Sequence, residues 1–533
     1  MRTKLEAPGI TRRDLLRAAL GAAAFAGIAQ FTGRDAMADI DSATAGARSR
    51  IAVLNGCPTL LVDDVPLLIA GSQIDGRSVY HNDDCITFFD GLAEMNATVI
   101  GISIPWDSVE VAEGRYDFST VDWFIRQAEQ RGLKVIFNLA NTNICGKVQE
   151  GSDARAIYHY VPAYIRSAPD DYQRVVFSPG LTPQGGAPPM CPNDPRTLER
   201  ERLYVERLAK YLQSRDTHAT VVMLQLENSA NYTAWEAPGP NRPADERCRC
   251  RYCDAKWASA TYANGQAFMT RSFADYVEVL AKAVTDSHPL PVFVNNWSAE
   301  AARIILDAAP HISLVSGHLL DPHEPNGIST LSVGRNMLFA SEAWTHMPSV
   351  RFYLDALPFY TLAARPGLGL TLWDPGGEKS IVYDGDLVSR LSDALYPVKN
   401  AQCLIAAHRG TSRLAAWSVL RDQTWQVASP MNVVENGNTR TVRNETIEVA
   451  LGDAVLRISG SATGYAVRPT AGELFLCLSS GHVVVRGKPV ASAARGSFEG
   501  NRWIAGSPIS FVKQGDGYVI DTQSPAVIRI VLS

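Results

Sequence analysis

Between about Leu60 and Asp374, short runs of β-branched and apolar residues alternate with longer stretches in which apolar residues recur at helical spacing. That alternation marks repeated strand–helix units. It predicts eight strands, over Leu67–Gly71, Thr98–Ile104, Lys134–Leu139, Val221–Leu226, Pro291–Asn295, Ile312–Ser316, Met337–Ala340 and Leu368–Trp373. Among the intervening helices, Val121–Gln130 carries Val121, Phe124, Ile125 and Ala128 on one face, and Leu198–Leu212 carries Val205, Leu208 and Leu212 on another. After about Lys399 the helical spacing stops and short alternating strands take over, for example Thr446–Val449, Leu474–Leu478 and His482–Val485, punctuated by Gly and Asn. The pattern predicts an α/β fold, a (β/α)8 TIM barrel over residues 39–398 followed by a C-terminal β-sandwich over 399–533.

Length and composition agree with that division. A chain of 533 residues exceeds one ordinary domain, and a barrel of roughly 250 to 400 residues leaves room for one smaller module. With 46% hydrophobic and 20% charged residues it has ample material for a packed core. A net charge of -5 provides no basic field for a phosphate backbone, so nucleic acid is not an expected partner. Residues 1–38 read as a leader: Thr11-Arg12-Arg13-Asp14-Leu15-Leu16-Arg17 precedes an apolar run from Ala18 to Ala29, and Ala36-Met37-Ala38 offers a small-x-small cleavage site. The run is too short to span a bilayer. The paired arginines resemble the twin-arginine export signal, with Leu15 where Phe is commoner and Arg17 in place of Lys. A basic amphipathic helix is the alternative. The resemblance implies a periplasmic or secreted protein, with no membrane attachment once the leader is removed.

In such barrels the chemistry sits at the C-terminal ends of the strands, so the polar residues closing each strand are the candidates. They are Gln73, Asp75 and Arg77 after the first strand, Trp106 and Asp107 after the second, Asn138, Asn141 and Asn143 at the third, and Glu227 and Asn228 at the fourth. Asn295, Asn296 and Trp297 follow the fifth, His318 the sixth, Glu342 and Trp344 the seventh, and Trp373 and Asp374 the eighth. Aromatic faces stack on sugar rings, and amides and carboxylates bind hydroxyls. Asp75, Arg77, Trp106, Asn138, Asn228, Trp297, His318, Trp344, Trp373 and Asp374 are therefore the expected carbohydrate contacts.

These motifs resemble a family. Trp106-Asp107-Ser108-Val109-Glu110, followed by Glu113-Gly114-Arg115-Tyr116-Asp117-Phe118, is similar to the signature after the second strand of β-galactosidases in glycoside hydrolase families 42 and 35, with Val111 where Pro is usual. Gln225-Leu226-Glu227-Asn228 resembles the end of their fourth strand, and Phe339-Ala340-Ser341-Glu342-Ala343 their seventh. The resemblance implies a retaining exo-acting β-glycosidase, β-galactosides being its best single substrate class, with Glu342 as nucleophile. Family 42 enzymes are often trimers, so a homo-oligomer is among the expectations.

Retaining hydrolysis needs a second carboxyl group as proton donor. The families place it directly after the Asn corresponding to Asn228, and this chain has Ser229 there. Glu227, two residues earlier and on the same face of the strand, is the first substitute, and Glu236 in the following loop is the second. A sugar-binding protein on a barrel without an acid, and a glycosidase whose acid is a water or a substrate group, remain the alternatives.

Nine cysteines include Cys191-Pro192-Asn193 and Cys248-x-Cys250-x-x-Cys253. Four thiolates at this spacing suit structural Zn²⁺, and in family 42 similarly placed motifs bind one zinc. Disulfides formed after export are the competing state. The twin-arginine resemblance implies export of a folded protein, which would allow zinc loading in a reducing cytoplasm.

Overall fold

The computed structural model describes residues 38–39, 48–74, 82–139, 160–178, 188–227, 246–295, 298–319, 333–344, 367–374, 380–418, 431–435, 438–442, 446–459, 464–479 and 481–533. Its centre is a closed ring of eight parallel strands. They are β1 (Ile69–Ile74), β2 (Val99–Ser103), β3 (Lys134–Leu139), β4 (Val221–Leu226), β5 (Val292–Asn295), β6 (Leu314–Leu319), β7 (Leu338–Trp344) and β8 (Gly367–Asp374). Neighbours follow chain order and β8 pairs back on β1, so the expected barrel is the observed one.

Helices cover the outside: α1 (Asn82–Glu94), α2 (Ser119–Arg131), α3 (Pro195–Arg215), α4 (Arg251–Ser259), α5 (Gly265–Ser287), α6 (Ala299–Ala308) and α7 (Gly385–His408). In α2 the buried face is Val121, Phe124, Ile125 and Ala128, and the helix stops at Gly132, whose φ of 66° turns the chain left-handed. Asp194 caps α3, accepting from the Arg196 and Thr197 amides, with Pro195 in the first turn.

Strand alternation divides the barrel residues between two apolar clusters. Ile100, Ile102, Val135, Phe137, Leu224 and Leu226 face the helices, whereas Ile69, Val99, Ile136, Met223, Phe293, Leu314, Phe339 and Leu368 fill the interior. An antiparallel meander of Ser49–Leu54, Cys57–Val62 and Val65–Leu67 closes that interior, adding Ile51, Leu60, Val62 and Leu67 to the same cluster. The meander lies ahead of the predicted strands, and it makes the bottom of the barrel a dry floor. Among the described residues, no helix is long and apolar enough to cross a membrane.

The change of pattern near Lys399 falls inside α7, which continues to His408, and the first strand of the C-terminal part starts at Leu414. Pro397 lies within α7 and the backbone departs from helical geometry one turn later, at Ala401. The C-terminal strands form an eight-stranded and a five-stranded antiparallel sheet. Residues of the larger sheet alternate without waste: Ala415, Trp417, Ala466, Leu474 and Leu476 meet the smaller sheet, while Leu414, Ala416, Tyr465, Val467 and Phe475 join the barrel's outer core beside α7.

Arg409, at the end of α7, is 2% exposed. Its Nη1 donates to the Gly367 carbonyl at 2.5 Å, and its Nη2 donates to the Pro58 carbonyl and to Thr59 Oγ1, both at 2.9 Å. One guanidinium thus joins the meander, β8 and α7. Burial holds its pKa below the ordinary arginine value. Replacing Arg409 with Met would leave these acceptors buried without their donor. Urea unfolding is expected to show a loss of about 2 to 4 kcal/mol, and an unchanged midpoint would mean that the three acceptors find other partners.

Candidate active site

Above the apolar floor the barrel interior becomes polar. Gln73, Ser103, Asn138, Gln225, Asn295, Ser316 and Glu342 come from seven different strands and are all buried. Gly101 leaves the space for Gln73, since a Cβ there would lie 2.7 Å from the Gln73 Cβ. Asn138 Oδ1 has no hydrogen-bond partner among the described residues.

Glu342 reaches this interior through an irregularity in β7. Ala340 and Ala343 both belong to the outer core, yet a regular strand would point residues three apart to opposite faces. The register against β6 jumps between Ala340 and Glu342, and that against β8 jumps between Ala340 and Ala343. One extra residue is accommodated there as a bulge, which lets both Phe339 and Glu342 face inward. Glu342 Oε1 then accepts a hydrogen bond from Asn295 Nδ2 at 2.9 Å.

Glu227 follows β4 directly, has no exposed surface, and has a φ of 60°. That left-handed conformation is uncommon outside glycine and is kept only where the surroundings impose it. Its N–H donates to the Leu139 carbonyl at 3.4 Å, and its carbonyl accepts from Gln225 Nε2 at 3.3 Å.

Of the expected sugar contacts, Asn138 and the partly buried Trp373 lie on β3 and β8, with Trp373 in register beside Gln73. His318 lies in register beside Glu342, and Trp344 beside Trp373. Asp374 is buried, and its Oδ2 accepts from Ser380 Oγ at 3.0 Å and the Ile381 amide at 2.9 Å, tying β8 to the next turn. Asp75, Arg77, Asn228 and Trp297, together with Ser229 and Glu236, lie outside the described residues.

Trp106 corrects an expectation. It is wholly buried, its ring stacks on Tyr204 with centroids 5.7 Å apart, and its Nε1 donates to Glu110 Oε2 at 2.7 Å. Glu110 Oε1 also accepts from the Gly114 amide at 2.7 Å and pairs with Arg200. The Trp106, Glu110 and Gly114 spacing therefore builds a buried carboxylate knot that fixes the loop after β2, and Trp106 has no surface left for a sugar. Nearby, Phe118 stacks on Tyr211 at 4.1 Å.

Cys191, Cys248, Cys250 and Cys253 form a buried cluster that can hold a metal ion, with their sulfurs all within 4.8 Å of one another. Cys191 lies just ahead of α3, and Cys250 caps α4, which carries Cys253 in its first turn. The Cys191 sulfur is 3.4 Å from that of Cys253, 3.5 Å from that of Cys250 and 4.0 Å from that of Cys248. Disulfide sulfurs would be about 2.05 Å apart, whereas a tetrahedron with metal–sulfur bonds of about 2.3 Å has edges of about 3.8 Å. Each sulfur also accepts an N–H. Cys248 takes it from Val176 at 3.3 Å, Cys191 from the Asn193 backbone at 3.4 Å, Cys253 from Asn193 Nδ2 at 3.2 Å, and Cys250 from Cys253 at 3.5 Å. Such donors steady thiolates. Four thiolates packed this closely in a buried cluster repel one another, so full ionisation of the set requires a cation to offset their charge.

No protein-family model matches the chain, and no curated protein matches it in sequence. Similar solved structures include an endogalactoceramidase, 11% identical with a TM-score of 0.42, the alignment covering 91% of this chain and 100% of that one. A β-galactosidase from Bacillus circulans sp. alkalophilus is 9% identical with a TM-score of 0.43, over 87% of this chain and 99% of that one. A family 39 glycoside hydrolase from the gut symbiont Bacteroides cellulosilyticus WH2 is 11% identical with a TM-score of 0.39, over 91% and 87%. Similarity this distant carries no information about chemistry, which must be read from the site itself.

Proposed function

We propose that this chain is a retaining β-glycosidase, with β-galactosides as the first substrate class to test. The observation that carries the reading is the bulge that turns Glu342 inward, with its carboxylate held by Asn295 above a dry floor. In this reading one oxygen of Glu342 attacks the anomeric carbon as the glycosidic C–O bond breaks. The bonding pair leaves on the aglycone oxygen, which takes a proton from the acid. Water, deprotonated by the same group, then releases the sugar from the glycosyl ester. Glu227 is the proposed acid. Its strained backbone at the end of β4 is the kind of feature that persists at functional sites. Its complete burial also supports a second reading, in which the barrel binds a sugar but has no acid.

Glu342→Gln is expected to abolish turnover, and a 2-deoxy-2-fluoro β-glycoside with a dinitrophenyl leaving group should label Glu342, as read by peptide mass spectrometry. Full activity in the variant would end the proposal. Glu227→Gln should slow cleavage of alkyl glycosides by about 10²- to 10⁴-fold and activated aryl glycosides much less. An equal effect on both classes would remove Glu227 from the acid role.

The cysteine cluster is assigned to zinc in the same reading. Four thiolates leave no open coordination position, so the ion fixes the segments around Cys191 and α4 and takes no part in the reaction. Metal analysis should find about one zinc per chain, and Cys250→Ser should lower the melting temperature far more than kcat. A zinc-free protein with a disulfide among these cysteines would refute the assignment.

Export by the twin-arginine route is the remaining element. Changing Arg12 and Arg13 to Lys should leave precursor in the cytoplasm, and normal export of that variant would exclude the route.

A further inference from the structure

We infer that Asn295 is a positioning residue for Glu342, holding Oε1 so that the other oxygen faces the substrate. The inference deepens the glycosidase reading and rests on it for its catalytic meaning, although the contact itself does not. Asn295 ends β5 and has no exposed surface, while Glu342 is 4% exposed on β7. The two strands are second neighbours, about 9.6 Å apart at a strand spacing of about 4.8 Å, with β6 between them. Two local features allow the side chains to meet at 2.9 Å. The residue on β6 in register with Asn295 is Ser316, too short to obstruct the crossing, and its Oγ is held by Ser341 Oγ at 2.7 Å and the Val294 carbonyl at 3.4 Å. The bulge in β7 then turns Glu342 inward, where regular alternation from Phe339 would point it outward.

An amide nitrogen can only donate, so this contact favours the carboxylate over an acid whose proton sits on Oε1. It also breaks the equivalence of the two oxygens. In the glycosyl-enzyme Oε1 is the ester carbonyl and can keep the same bond. When water displaces the sugar, the returning negative charge develops beside a donor already in place. Asn295 thus serves ionisation before the first step and departure of the carboxylate in the second. Among the described residues, the other ionisable groups at this rim are Glu227 after β4 and Asp374 at the end of β8, with His318 in register beside Glu342 on β6.

The test uses the full chain and its Asn295→Ala and Asn295→Asp variants. Protonation of Glu342 is followed by pH-difference infrared spectroscopy, with the Glu342→Gln protein as the subtraction control. Asn295→Ala should move the carboxylate-to-acid transition upward by on the order of one pH unit. Asn295→Asp should move it further, because two adjacent carboxyl groups then share a proton. The acidic limb of kcat/KM should follow, and kcat should fall by about 10- to 100-fold with little change in KM. A transition that stays in place in the folded Ala variant overturns the inference; if that variant does not fold, an unmoved transition in the nearly isosteric Asp variant does so. The two readings fail separately. Labelling at Glu342 without a shift in the variants leaves a glycosidase with no role for Asn295. A shift without labelling or hydrolysis removes the glycosidase and leaves only the contact.

Discussion

Closing eight parallel strands into a ring leaves no free edge, and it also commits the inward half of every strand to an interior that must be filled. In this chain the pairing of β8 with β1 runs from Gly369 against Ile69 to Asp374 against Ile74, so the ring is joined along its full height. Below, the interior is filled by Ile136, Met223, Phe293 and their neighbours and sealed by the N-terminal meander. Above, where loops replace the meander, amides, hydroxyls and a carboxylate take the same inward positions. The candidate site is the polar upper part of a packed interior, and it stands directly on the apolar floor beneath it.

The strands were legible in the sequence because parallel strands buried on both faces read as near-continuous apolar runs, as in Val135–Phe137 and Val221–Leu224. The polar residues closing those runs, Glu227 and Glu342 among them, were legible for the same reason. What lay beyond sequence reasoning was direction. Period-two counting from Phe339 sends Glu342 outward, and only the bulge reverses it, while nothing in the residue types around Ser341 announces a bulge. The left-handed backbone at Glu227 is equally silent, because neither glycine nor asparagine marks it. Trp106 was misread since an indole at a strand end fits a sugar platform and a buried hydrogen-bonded core residue equally well. Glu110, four residues on, was the available signal for the second.

The C-terminal sheet also does more than its alternating pattern implied. Both of its faces are apolar and both are covered, one by the smaller sheet and the other by α7 with the barrel's outer core. Tyr465 and Ala466, adjacent in sequence, belong to different cores. That arrangement leaves α7 between barrel and sheet, and the kink at Ala401 lets one helix lie along both. Residues 399–408, expected to start the second domain, are instead the surface on which it is built.

The guanidinium of Arg409 gives this architecture an order in time. It reaches Pro58 across 351 residues of sequence and Gly367 across 42. Contacts that span such separations incur the largest loop-closure cost and form late. A growing chain makes the meander strands before any barrel strand, but the meander cannot be locked under the barrel until the last barrel helix has been made. For most of synthesis, then, the first strands to appear have a surface to cover and nothing yet to hold them on it, and the barrel is sealed from its beginning by one of the last residues of its final helix to arrive.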